Sequence, residues 1–161
     1  MAEKITFDEF FHSVDAENQL FVQNLHTYLL DSGCKVTFEN KKSGYLASYK
    51  YGKPPKSVLN FVFRKQGMIT RIYGEHIATY PDFLNTLPKE MVAHIENAGI
   101  CKRIVQNTCS PKCIGYDFTI GDAHFQKCRY NCFEFLMTDT SRPFIQAFIE
   151  HELKERMLPT T

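Results

Sequence analysis

The sequence predicts an α+β domain in which an antiparallel sheet, built from two meander or hairpin units, is flanked by amphipathic N-terminal and C-terminal helices. Residues 15–31 and 143–157 repeat apolar side chains at the period of a helix. Residues 45–51 alternate as a strand does, and the links around them are too short for parallel crossovers. Because strands and helices occur in runs rather than in strict alternation, α+β is favoured.

The first strong helix is predicted at residues 15–31. Asp15 is a suitable N-cap for it, and Gly33 is a suitable C-terminal stop. The residues predicted to form its buried stripe are Leu20, Val22, Leu25, Tyr28 and Leu29.

A β-rich stretch follows this helix. Strands are predicted at 35–38, 45–51, 58–63 and 68–73. Pro54 and Pro55 separate the second strand from the third, and residues 65–67 form a short turn before the fourth. These four segments predict an antiparallel meander.

The second half of the chain predicts helices, then a hairpin, then a closing helix. Short helices are expected at 81–84 and 88–97. Strands at 116–120 and 123–129 flank Gly121-Asp122, a two-residue turn signal, and a further strand is expected at 133–137. The stripe of the closing helix, at 143–157, is predicted to be Phe144, Ile145, Phe148, Ile149 and Leu153.

Size and charge limit the class of protein. The 161 residues fit a single domain with a cysteine-rich subregion at 101–132. The net charge is +1, from 19 basic and 18 acidic side chains, which argues against a strongly basic nucleic-acid binder. We expect a cytoplasmic protein without a membrane partner, because the amino terminus lacks a signal-peptide pattern and no apolar run is long enough to span a bilayer.

Five of the six cysteines lie between positions 101 and 132. In a reducing compartment, clustered thiols favour metal or redox chemistry over lasting disulfides. Cys109 and Cys113 have the short spacing of a zinc knuckle, and the predicted hairpin would return Cys128 to Cys113. The predicted zinc ligands are Cys101, Cys109, Cys113 and Cys128. Four thiolates close the coordination shell, so this zinc would be structural.

Two reserve ligands and two other roles for the thiols stay open. Cys132 qualifies only if residues 129–131 turn, because four residues along a straight strand separate Cα atoms by about 13 Å. His124 is the weaker reserve. The cysteines could instead pack as small apolar side chains, or serve as a redox pair.

A ligand site is predicted on the sheet at Arg64, Arg71, Tyr73 and Arg129. Guanidinium groups beside tyrosines suit a carboxylate or phosphate, although a solvent-facing row of charges gives the same pattern. Glu75 and His76 follow the same strand and are a pair suited to acid–base chemistry, but the sequence offers no third residue to support them. We therefore predict no catalytic residue.

The string at 113–122, with Lys127-Cys128-Arg129-Tyr130 after it, resembles a signature of small uncharacterised bacterial proteins, as does Arg71-Ile72-Tyr73-Gly74 before a helix pair. The resemblance implies a bacterial, cytoplasmic, stand-alone domain. It implies no activity and no functional residue.

Three functions are compatible with these patterns. The preferred hypothesis is a non-enzymatic domain that binds a small ligand or protein partner and is braced by zinc. The second is a thiol-based redox enzyme or sensor, which requires an exposed thiolate of low pKa. The third is nucleic-acid binding through the basic, aromatic cysteine region, with Tyr116, Phe118 and Tyr130 as stacking side chains.

Overall fold

The structure is a computed structural model that describes residues 4–108 and 115–159. Its helices are α1 (Phe7–His12), α2 (Ala16–Asp31), α3 (Pro81–Leu84), α4 (Lys89–Asn97), α5 (Lys102–Val105) and α6 (Ser141–Arg156), with a 3-10 turn at Ile77–Thr79. Its strands are β1 (Lys35–Lys41), β2 (Gly44–Tyr51), β3 (Lys56–Arg64), β4 (Gly67–Ile72), β5 (Tyr116–Ile120), β6 (Ala123–Lys127) and β7 (Glu134–Leu136). Within the described ranges, none of the helices combines the length and the hydrophobicity that a membrane span requires.

The predicted α+β class and its two antiparallel units are confirmed. Five strands form one sheet in the order β1-β2-β3-β4-β7, with every neighbouring pair antiparallel. The meander β1 to β4 is the first predicted unit. The hairpin of β5 and β6 is the second, and it forms a sheet of its own. Strand β7 returns to the outer side of β4, where Phe135 lies opposite Thr70.

Helix α2 has the predicted bounds, but one member of its predicted stripe is wrong. Val22, Leu25 and Leu29 are fully buried, whereas Leu20 is 71% exposed. The buried positions, which begin at Asn18, repeat every three or four residues along α2. Position 20 is two residues from the nearest of them, about 200° around the helix, so its side chain points to solvent.

Aromatic side chains join the helices to the sheets. The ring of Phe10 in α1 lies 6.0 Å from that of Phe61 in β3. The ring of Phe148 in α6 lies 5.0 Å from that of Phe133, which also stacks on Tyr116 of β5 at 5.0 Å. Such contacts between offset or edge-on rings stabilise a core beyond the area that they bury.

A charged residue lies in the buried stripe of α6. Glu152 is fully buried, as are Ile149 and Leu153 beside it. Its Oε1 accepts hydrogen bonds from the backbone N–H of His76 at 3.0 Å and from the hydroxyl of Tyr80 at 2.6 Å. Its Oε2 faces His76 Nδ1 at 2.9 Å and accepts from Arg156 Nε at 2.8 Å. The carboxylate therefore fastens the segment after β4 to the closing helix.

The two faces of α2 should respond differently to truncation. We expect Leu25→Ala to lower the free energy of unfolding by about 2–5 kcal/mol, because it leaves a cavity in the core. Leu20→Ala, on the exposed side of the same helix, should change it by no more than about 0.5 kcal/mol. Urea unfolding followed by circular dichroism measures both. Equal losses would contradict the assignment of the two faces.

Candidate functional site

The structure brings Arg64 and Arg71 to one carboxylate. Glu134 of β7 lies 3.4 Å from Arg71 Nη2 and 4.0 Å from Arg64 Nη2. The register of the sheet causes this meeting, because Arg71 lies directly opposite Glu134 on the neighbouring strand. Cross-strand partners have Cβ atoms about 5 Å apart, which is within reach of opposite charges.

Tyr73 and Arg129 lie in the same region. The hydroxyl of Tyr73 accepts a hydrogen bond from Asn60 Nδ2 at 3.0 Å, and Asn60 is the β3 residue opposite Arg71. The guanidinium of Arg129 lies 5.7 Å from the centre of the Tyr73 ring, a cation–π distance. We call this cluster the arginine patch: Asn60, Arg64, Arg71, Tyr73, Glu75, Tyr116, Arg129 and Glu134.

Arg129 forms a largely buried ion pair with Glu75, and both side chains are less than one fifth exposed. Burial opposes the charge on the guanidinium, but the charge of Glu75, the phenols of Tyr116 and Tyr130 and the hydrogen bond to Glu75 together outweigh it and raise the pKa of Arg129. The neighbouring phenol of Tyr116 has its pKa raised by burial first and by the Glu75 charge second. Tyr116 therefore stays neutral and keeps its hydroxyl proton, which it can donate.

The arginine patch contains polar atoms without partners. Among the described residues, five buried side-chain nitrogen or oxygen atoms make no hydrogen bond. Four of the five lie in the patch: Asn60 Oδ1, Arg71 Nε, Tyr116 Oη and Arg129 Nε. Asn60 is only 7% exposed, so bulk water does not satisfy its oxygen. A buried polar atom without a partner usually marks a bound water, an ion or a ligand.

Four members of the patch were not predicted as ligand-binding residues: Asn60, Glu75, Tyr116 and Glu134. One signal for Asn60 was present in the sequence, since it interrupts the apolar run Val58-Leu59-Asn60-Phe61-Val62. A polar residue in a strand that is buried on both faces needs a partner. Glu134 gave a similar signal between two phenylalanines, but nothing local shows which strand β7 would join.

Two of the predicted zinc ligands lie on adjoining backbone. Cys101 N–H donates to Gln126 O at 2.9 Å, and Cys128 N–H donates to Gly99 O at 2.9 Å. These bonds flank the isolated bridge between Ile100 and Lys127. They continue the hairpin by one short strand, so Cys101 and Cys128 are brought to the same end of β6.

The structure also shows whether the chain turns between Cys128 and Cys132. Strand β6 ends at Lys127 rather than at residue 129, and Cys132 N–H donates to Cys128 O at 3.1 Å. The chain therefore turns, and the distance argument against Cys132 does not apply. However, Cys132 is fully buried, and burial raises the pKa of its thiol. A protonated, inaccessible thiol is a poor attacking group, which disfavours Cys132 as a redox nucleophile.

His124, the second reserve ligand, has another partner. Its Nε2 lies 2.5 Å from Asp117 Oδ1 across the hairpin, and both side chains are about half exposed. Cys109 and Cys113 lie outside the described residues. Within residues 4–108 and 115–159, no cluster of three or more histidine, cysteine or acidic side chains has a metal-binding arrangement. The complete four-cysteine set therefore stays a prediction.

Comparison with known proteins does not assign these sites. Searches of protein-family models, curated proteins and solved structures found no match to the chain. The function is therefore argued from the geometry of the described residues alone.

The ion pair between Glu75 and Arg129 should be sensitive to loss of one partner. We expect Glu75→Gln to lower the free energy of unfolding by about 3 kcal/mol, because it leaves a largely buried guanidinium without its counter-charge. Arg64→Gln is the control: Arg64 is 40% exposed, and its ion pair should contribute less than about 1 kcal/mol. Chemical denaturation compares the two. A smaller loss for Glu75→Gln would contradict the pairing.

Proposed function

We propose that this protein is a binding domain whose arginine patch holds a small organic acid and whose cysteine region is braced by a structural zinc ion. The proposal that the patch binds an acid rests on its buried polar atoms that have no hydrogen-bond partner. Two of them, Arg71 Nε and Arg129 Nε, are charged donors, and Asn60 Oδ1 is an acceptor.

The unpartnered groups indicate the chemistry of the ligand. A carboxylate oxygen satisfies the N–H of Arg71 or Arg129, since guanidinium pairs with planar anions through parallel hydrogen bonds. Asn60 Oδ1 needs an O–H or N–H donor on the same ligand. A small acid that also carries a hydroxyl or amino group meets both needs. Arg64 is the most exposed arginine of the patch, at 40%, and marks its solvent side.

Arg71 and Arg129 each already pair with one carboxylate, and this arrangement suits a binding site better than a catalytic site. Glu134 and Glu75 hold Arg71 and Arg129 through terminal nitrogens, so both guanidinium groups are fixed before the ligand arrives. Such preorganisation reduces the entropy that binding costs. The two carboxylates leave the three arginines of the patch with one uncompensated positive charge, which suits a ligand with a single carboxylate.

Ligand binding should appear as thermal stabilisation by the right class of acid. We expect at least one small hydroxy or amino acid in a panel that includes glycolate, malate and glutamate to raise the unfolding temperature, since a ligand at 100 times its Kd adds about 2.7 kcal/mol. Arg71→Met should weaken that ligand at least tenfold, about 1.4 kcal/mol.

The matched control is Lys65→Met, because Lys65 is an exposed cation in the turn between β3 and β4. Each variant is compared with its own ligand-free form, so a general loss of stability does not count as lost binding. Differential scanning fluorimetry followed by calorimetry gives both readouts. If no acid stabilises the wild type, or if Arg71→Met binds as the wild type does, the ligand proposal is wrong.

The zinc proposal keeps the ligand set Cys101, Cys109, Cys113 and Cys128. Its support is the adjoining backbone of Cys101 and Cys128 and the position of Gly115. A Cβ added at Gly115 would clash with Cys101 Sγ, so only glycine allows the chain to pass this sulfur. Gly115, two positions after Cys113 in the sequence, therefore packs against Cys101.

Zinc should be lost when a ligand is removed and kept when another cysteine is changed. We expect about one zinc per chain in protein purified without added metal, and near none in Cys101→Ser or Cys128→Ser. Cys34→Ala is the control, because burial raises the pKa of Cys34 to about 11 and its thiol stays protonated. Cys132→Ala should also keep zinc.

Elemental analysis gives the metal content of each variant, and circular dichroism shows whether each variant folds. A metal-free wild type, or a folded Cys128→Ser protein that still holds one zinc per chain, would rule out the proposed set. Loss of zinc in Cys132→Ala would instead show that Cys132, the reserve ligand, binds the metal in place of one of the four.

A further inference from the structure

A second site lies outside the arginine patch, where His76 meets Glu152. Glu152 is fully buried and His76 is 41% exposed, so one end of the pair is in the core and the other reaches the surface. Because an ionised carboxylate only accepts hydrogen bonds, His76 Nδ1 must carry the proton that Glu152 Oε2 receives at 2.9 Å. The neutral ring then has its lone pair on Nε2.

His76 also lines a cavity. Nε2 makes no hydrogen bond to any part of the chain that the structure describes, and His76 lines a cavity of about 490 Å³. The other lining side chains include Tyr51, Lys53, Lys56 and Glu155. A histidine held by a buried carboxylate at Nδ1 and open at Nε2 has the arrangement of a general base.

The charges around the cavity favour an anionic substrate. Arg156 is already occupied, since its guanidinium holds Glu152 and donates to the carbonyls of Ser57 and Tyr73 at 2.8 Å. Glu75, also in the lining, is occupied by Arg129. The remaining charged groups of the lining are Lys53 and Lys56 against Glu155 alone. A substrate with one carboxylate meets this surplus of positive charge.

We propose that His76 and Glu152 form a proton-transfer pair that hydrolyses a small ester bearing a carboxylate. His76 Nε2 takes a proton from a water molecule as the water oxygen forms a bond to the ester carbonyl carbon. The ester C–O bond then breaks, and the imidazolium returns the proton to the departing oxygen. Water and ester become acid and alcohol, and Glu152 stays ionised throughout. This activity goes beyond the proposed binding function and uses a different cavity.

The test uses 4-nitrophenyl hemisuccinate as the anionic probe and 4-nitrophenyl acetate as its neutral counterpart. The wild type should hydrolyse the anionic probe faster than the neutral one. His76→Gln should lower kcat/KM about 100-fold, within the usual contribution of a general base. Lys53→Gln combined with Lys56→Gln should remove the preference for the anionic probe.

The control for ordinary surface histidines is His12→Gln, since His12 is exposed in α1 and should keep the full rate. Glu152 is a positioning residue, so it is tested on the wild type by nitrogen-15 NMR, which should find the neutral His76 ring protonated at Nδ1. A ring protonated at Nε2 would overturn the proposal. So would equal rates for wild type, His76→Gln and His12→Gln on the anionic probe.

Discussion

The buried carboxylate of Glu152 is the constraint on which the rest of the structure depends. Removing an ionised carboxylate from water costs several kcal/mol, so the fold must supply compensating donors. Glu152 accepts from the backbone and the ring of His76, from Tyr80 and from Arg156. Each such bond to a charged group contributes about 1.5–3 kcal/mol, which offsets the cost only if every donor is in place. Burial, followed by the charge of Glu152, raises the pKa of Tyr80, which therefore stays a donor.

Arg156 extends this constraint into the sheet. Its terminal nitrogens donate to the carbonyls of Lys56 and Ser57, at the start of β3, and of Tyr73, just after β4. The segment from Tyr73 to His76 is thus held at both ends. Gly74, within this segment, packs closely on the core, because a Cβ there would lie 3.2 Å from the ring of Phe133 and would require that ring to shift. The same segment supplies Tyr73 and Glu75 to the arginine patch and His76 to the second cavity, so one buried carboxylate positions both sites.

Local periodicity explains which parts of this arrangement were predictable. The bounds of α2, and the presence of the meander and of the β5–β6 hairpin, follow from side chains within a few residues of one another, and the structure confirms them, although β6 ends at Lys127. The pairing of β7 with β4 does not follow from neighbouring side chains, because Phe135 pairs with Thr70, which lies 65 positions earlier in the chain. Arg64, Arg71, Tyr73 and Arg129 were predicted as one site, but Glu134, which brings Arg64 and Arg71 together, depends on that register. Glu152 had a visible signal, since it falls at the buried spacing of Ile145, Phe148, Ile149 and Leu153.

The cysteine region shows why a brace is useful in one part of this fold. A two-stranded hairpin is marginally stable alone, and β5 and β6 form a sheet separate from the main one. Tyr116 and Phe118 secure one end through Phe133. At the same open end, directly opposite Tyr116, the buried ammonium group of Lys127 donates to the carbonyls of Glu96 and Ala98, which fixes the end of α4 to β6. The charge of Arg129 is paired with Glu75, whereas Lys127 donates only to neutral carbonyls and keeps its positive charge. Cys128 follows β6 directly, and Cys101 lies three residues after Ala98, so the proposed metal would tie the open end of the hairpin to the chain that follows α4.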